Sequence, residues 1–143
     1  MNLVRRLSLP ALAIVALTVA SCSKADGRKP TFPVNGKVLL PDGKPAEHAT
    51  VVLHPVGDDG PSTARPRGKV SADGSFTLTT YDADDGAPAG EYRVTIELWR
   101  TTGRGDEGPT NRLPPKYARP DTSGLTATVG AGPTEMEPIK LKN

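Results

Sequence analysis

From Val34 onward, apolar side chains recur at every second position in short runs, the period of a strand that buries one face. Val34, Gly36, Val38 and Leu40 share a face and stop at Pro41, Asp42 and Gly43, which predicts a strand ended by a turn. Ala49, Val51 and Leu53 alternate with Thr50, Val52 and His54 before Pro55, predicting a second strand, and residues 57–66 read as a loop. Residues 67–71 and 75–79 flank Ala72, Asp73 and Gly74 as the arms of a hairpin, with Val70, Phe76 and Leu78 inward. After an acidic loop at 81–90, Tyr92, Val94, Ile96 and Leu98 alternate with Arg93, Thr95, Glu97 and Trp99, giving the longest strand. Residues 101–121 are crowded with Pro and Gly and predict a long excursion over the surface without a helix. Leu125, Ala127 and Val129 make one more strand, and past a turn at 130–133, Ile139 and Leu141 alternate with Lys140 and Lys142 to close the sheet.

Short strands, frequent turns and no helical period predict an all-β domain over residues 33–143: a seven-stranded antiparallel Greek-key β-sandwich. Each strand is apolar on one face only. Stacking two sheets buries those faces, at about 25 cal/mol per Å² of apolar surface. Only 36% of residues are hydrophobic and 4% aromatic, so the core must be thin and built from Val, Leu, Ile and Ala. Fifteen Gly and 15 Pro supply the turns.

The first 21 residues have a different design. MNLVRR is a basic start, and residues 7–20 form an apolar run ending in small side chains, the layout of a secretory signal peptide. With Pro10 inside it, this run falls short of the roughly 20 residues that a spanning helix needs. Within LTVASC, Val19, Ala20, Ser21 and Cys22 resemble the bacterial lipoprotein signal, the lipobox. The resemblance implies diacylglyceryl attachment to the Cys22 thiol, cleavage between Ser21 and Cys22, and acylation of the new terminus. That chemistry requires a thiol nucleophile, and several acyl chains at about 0.8 kcal/mol per buried methylene make a lasting membrane anchor. An ordinary signal peptide cut near Ser21, with an incidental cysteine after it, is the alternative. Ser23 is not Asp, which by the sorting rule of Gram-negative lipoproteins points to the outer rather than the inner membrane. Residues 22–32 then read as a flexible, lipidated tether.

Charge narrows the partners. With Arg5 and Arg6 in the leader, the mature chain balances 16 basic against 16 acidic residues, so nothing argues for nucleic acid or for a polybasic membrane patch. A single Cys also rules out an internal disulfide.

VNGKVLLPDGKPAEHATVVLHP, DGSFTLTTY and APAGEYRVTI resemble the carboxypeptidase regulatory-like domains, which share the transthyretin (prealbumin) sandwich. LPPKYARPDTSGLTATV looks like envelope lipoproteins that carry one copy of this domain. The resemblance implies a non-catalytic accessory, structural or recognition role toward an envelope protein or glycan, with no cofactor. One transthyretin-like branch hydrolyses hydroxyisourate with a C-terminal Tyr-Arg-Gly-Ser signature, but this chain ends in LKN.

Candidate chemistry is sparse. His48 and His54 have no metal-ligand spacing and read as solvated strand positions, and no G-x-S-x-G elbow occurs. Asp82, Asp84 and Asp85 invite a calcium reading, but Gly86 and Arg93 stand where EF-hand ligands belong, so a solvated turn is the better reading. Asp58 and Asp59 make a second acidic loop. Arg100, Arg104, Arg112 and Arg119 scatter positive charge through the long excursion. Trp99 lies on the outward phase of its strand; the favoured reading is that the long excursion folds over it and buries it, the alternative an aromatic platform with Tyr117 for a sugar or protein partner.

Overall fold

The computed structural model describes residues 27–57, 60, 63–101 and 108–143. Ser21, Cys22 and Arg104, the whole predicted signal peptide and the first part of the predicted tether lie outside the described residues. The elements are β1 (Thr31–Phe32), β2 (Val34–Leu39), β3 (Thr50–Pro55), β4 (Arg67–Lys69), β5 (Ser75–Thr77), β6 (Ala87–Pro88), β7 (Gly90–Glu97), β8 (Trp99–Arg100), β9 (Thr110–Asn111), β10 (Leu125–Val129), β11 (Thr134–Glu135) and β12 (Ile139–Lys140). A 3-10 turn, Pro115–Ala118, precedes β10. The protein is an all-β sandwich, and among the described residues no helix is long and apolar enough to cross a membrane.

One sheet is antiparallel throughout, in the order β10-β7-β3-β4. The other is built on β2, with β5 antiparallel along one edge and β11 and β12 along the opposite edge. Alternation decides which side chains meet between them. Val34 and Val38 on β2 and Phe76 on β5 face Val51 and Leu53 on β3 and Val94 and Ile96 on β7, all in one buried cluster. The skipped step at Gly36 serves packing: a Cβ there would sit 2.6 Å from the Phe76 ring, so the ring lies directly on the glycine backbone.

The hairpin stands, and three expectations about the fold change. The expected hairpin forms: Ser71 N–H donates to the Ser75 carbonyl at 2.8 Å, and Arg67 and Thr79 exchange both backbone bonds at 3.0 and 2.8 Å, while β4 also pairs with β3 and β5 with β2. Val70, Phe76 and Leu78 are buried as expected, and the hairpin bridges the two sheets. Thr31 and Phe32, assigned to the tether, pair with Pro88 and Ala87. Gly86 makes this possible: at φ +85° it approaches so closely that an added Cβ would lie 1.7 Å from the Phe32 carbonyl oxygen. The predicted excursion at 101–121 is only partly loop, because β9 pairs back onto β8, and Leu113 and Tyr117 enter the core around the 3-10 turn. Pro at the start of that turn suits a position whose N–H would be unsatisfied in any case.

The last correction concerns the C-terminal strands, which run parallel to β2, Thr134 opposite Val34 and Ile139 opposite Val38, where an antiparallel closure was expected. β10 ends beside Gly90, at the same end of the sandwich where β2 begins. The chain therefore crosses between sheets and starts alongside β2 in the same direction. Pro138, which has no N–H to give the ladder, separates the two short strands.

Candidate functional site

The sandwich has two poles. β7 runs from Gly90 at one to Glu97 at the other, and the exposed aromatic surface stands just past Glu97. Leu98 is buried and anchors the base of the β8–β9 ribbon. The Asn111 side-chain oxygen accepts N–H groups from both Leu98, at 3.0 Å, and Leu113, at 3.1 Å, while Arg112 N–H donates to the Leu98 carbonyl at 2.8 Å. One short polar side chain thus closes the ribbon onto the end of β7. Sequence reasoning missed Asn111; its signal was an Asn two residues before a buried Leu, the spacing of a side chain that accepts its neighbour's amide.

On this ribbon Trp99 is 53% exposed, and its indole N–H donates to Glu97 Oε2 at 3.0 Å. The expectation that the excursion buries it is thus corrected: the ring stands in solvent. Arg100, on β8, and Arg112, just past β9, are exposed. Tyr117, the other half of the predicted platform, is 4% exposed. Its hydroxyl donates to the Lys142 carbonyl at 3.0 Å and accepts the Lys142 N–H at 2.7 Å, fastening the 3-10 turn to the segment that follows β12. The predicted pairing of Trp99 with Tyr117 as a platform is therefore corrected. Tyr117 holds the scaffold, and Trp99 alone of the two is offered to solvent. A shallow groove of about 430 Å³ opens at the same pole between Leu40, Pro41, Arg112, Leu113 and Leu141.

At the opposite pole Asp85 turns into its own loop. Its carboxylate accepts backbone N–H groups from Thr80 at 2.7 Å, Tyr81 at 3.0 Å and Asp82 at 3.2 Å. Partial burial raises its pKa, but the three amides together outweigh that and hold it below the ordinary 3.8. Asp82 points instead at Arg28, 3.5 Å away, and Asp84 takes a positive φ of 56°. Among the described residues no three His, Cys, Asp or Glu side chains converge on a metal position. Replacing Asp85 with Asn leaves one acceptor oxygen but sets an NH₂ group against donor N–H groups, and is expected to cost about 1–3 kcal/mol. Because the folded pKa is depressed, the wild-type advantage should be full above 3.8 and vanish as pH falls through the lower folded value. Urea titrations of both proteins between pH 7 and pH 2 check this, and a pH-independent difference contradicts it.

The histidines occupy unlike places. His48 sits in the turn before β3, not on a strand as expected, with φ 71° and Nε2 3.4 Å from Glu47. His54 is on β3, its Nε2 2.9 Å from the Thr95 hydroxyl. The Tyr92 hydroxyl donates to the Pro88 carbonyl at 2.6 Å, and burial raises its pKa.

No protein-family model matches the chain, and no curated protein matches it with significance. Among solved structures it is similar to a 9R-lipoxygenase from Cyanothece PCC8801, at 17% identity and a TM-score of 0.40, over 78% of this chain and 16% of that one. The chain thus spans about a sixth of that protein, and a likeness this distant carries no argument about function. The functional reading rests on the molecule's own surface.

Proposed function

We propose that the protein is a lipid-anchored module of the bacterial envelope, held through acylated Cys22 and acting as a non-catalytic accessory that binds an envelope partner. The observation that carries this reading is the exposure of Trp99. The polar groups at its pole, Glu97, Asn111 and the Tyr117 hydroxyl, are engaged in holding the ribbon and the turn, whereas the large aromatic ring is left in water. A Trp on a braced ribbon is what a partner surface requires, because it offers wide contact area with little side-chain freedom to lose. The lipoprotein signal at residues 19–22 supports the anchor, and the balanced mature charge supports a partner other than nucleic acid.

The test is capture from solubilised envelope with the full-length, host-processed protein as bait. Wild type should retain a partner, and Trp99→Ala should weaken that capture at least tenfold, since loss of a central Trp anchor costs upward of about 2 kcal/mol. Equal capture by both proteins, or none by wild type, counts against the reading. A second reading, a glycan-binding module, is favoured by the same exposed ring, because indole faces stack on sugars. Binding on a glycan array that disappears in Trp99→Ala would select it over a protein partner.

A further inference from the structure

We infer that the sandwich stands on its Tyr81 pole at the bilayer surface, so that the Trp99 pole faces away from the membrane; this rests on acylation of Cys22. Five residues separate Cys22 from Arg28. Fully extended, that stretch reaches at most about 22 Å. At Arg28 the chain meets the domain. The guanidinium lies 5.3 Å over the Tyr81 ring, and Lys29 N–H donates to the Tyr81 hydroxyl at 3.2 Å. Thr31 and Phe32 then pair with β6, two residues before Gly90 begins β7.

The far pole lies a whole strand away. Gly90 to Glu97 is seven steps of about 3.4 Å, or about 24 Å, and the β8–β9 ribbon extends past that. To set Trp99 on the bilayer, the protein would have to lift the Arg28 pole by the full height of the sandwich and ribbon. The tether is too short for that inverted pose even when taut. The distribution of exposed apolar side chains agrees: among the described residues the large exposed ones are Val56, at 52%, and Trp99. Val56 belongs to the anchored pole, where its N–H donates to the Glu91 carbonyl at 2.9 Å. One of the two therefore faces the lipid surface, and the other is presented outward to a partner that is not lipid.

The chain contains one Trp, which makes position 99 a natural reporter. Host-processed lipoprotein is reconstituted into phosphatidylethanolamine and phosphatidylglycerol vesicles containing a dansyl-headgroup lipid. Energy transfer is measured from Trp99 in the wild type and from position 56 in the double variant Val56→Trp, Trp99→Phe. Both altered side chains are exposed, and matching circular dichroism spectra check the fold. Transfer from position 56 should exceed that from position 99 severalfold, and iodide should quench Trp99 as well on vesicles as in detergent. Equal or greater transfer from position 99 overturns the orientation while leaving the anchor intact. A mass spectrum showing an unmodified Cys22 in the same preparation overturns the anchor, and the orientation with it.

Discussion

Replacing Ile96 with Asp is expected to abolish the cooperative unfolding transition of this domain. Ile96 is fully buried near the end of β7, opposite Val51 on β3, with Val94 two residues away in the same cluster. Removing a buried aliphatic side chain alone costs about 2–5 kcal/mol. An unpaired carboxylate in the same place adds several more, through desolvation or through protonation against its normal pKa. A small domain has a total stability of roughly 5–15 kcal/mol, so the sum is enough to remove the folded state. Ile96→Val, which keeps the shape and the apolar character, should cost only about 0.5–1.5 kcal/mol and melt cooperatively. Calorimetry distinguishes the two. An Ile96→Asp protein that melts within a few degrees of wild type would falsify the inward assignment of β7.

The second large effect is expected from Cys22→Ser. The serine hydroxyl is not an acceptable nucleophile for lipid attachment, so neither the diacylglyceryl group nor the cleavage that follows it should occur. A single acyl chain binds a bilayer only marginally, and stable anchoring needs two or more chains or a polybasic patch beside one. With 16 basic against 16 acidic residues in the mature chain, no such patch stands in reserve. The variant should accumulate as an unprocessed precursor or as a soluble exported species, a change from essentially all lipid-modified to essentially none. Fractionation together with the mass of the N-terminus reads this directly. A Cys22→Ser protein still processed and still sedimenting with the envelope would remove the anchor from the proposal.

How far each of these was visible in the chain follows from the range of the forces involved. The inward faces of β2, β3, β7 and β10 were legible because strand side chains alternate with a fixed period of two, so Val34, Val51, Leu53, Val94, Ile96 and Val129 declare their side without reference to any partner. The turns at Pro41 to Gly43 and Ala72 to Gly74 were legible for a similar local reason, since the residues that form them act on their own backbone. Lipid attachment, if the proposal holds, is equally local: a modifying enzyme reads a few residues around one sulfur.

What alternation cannot encode is which strand lies beside which. The direction of β11 and β12 and the second partner that each arm of the 67–79 hairpin takes, one in each sheet, depend on where distant strands end, a matter of loop paths and shared core volume. The same limit governed the aromatic pair. Trp99 precedes and Tyr117 occupies a Pro- and Gly-rich stretch with no period, and only the meeting of that stretch with Lys142, 25 residues beyond Tyr117, ties the Tyr117 hydroxyl. Side-chain phase along a strand is a property of covalent geometry and is therefore written in the chain; the choice of neighbours, and with it the surface left to water, emerges only when the two sheets compete for the same apolar contacts.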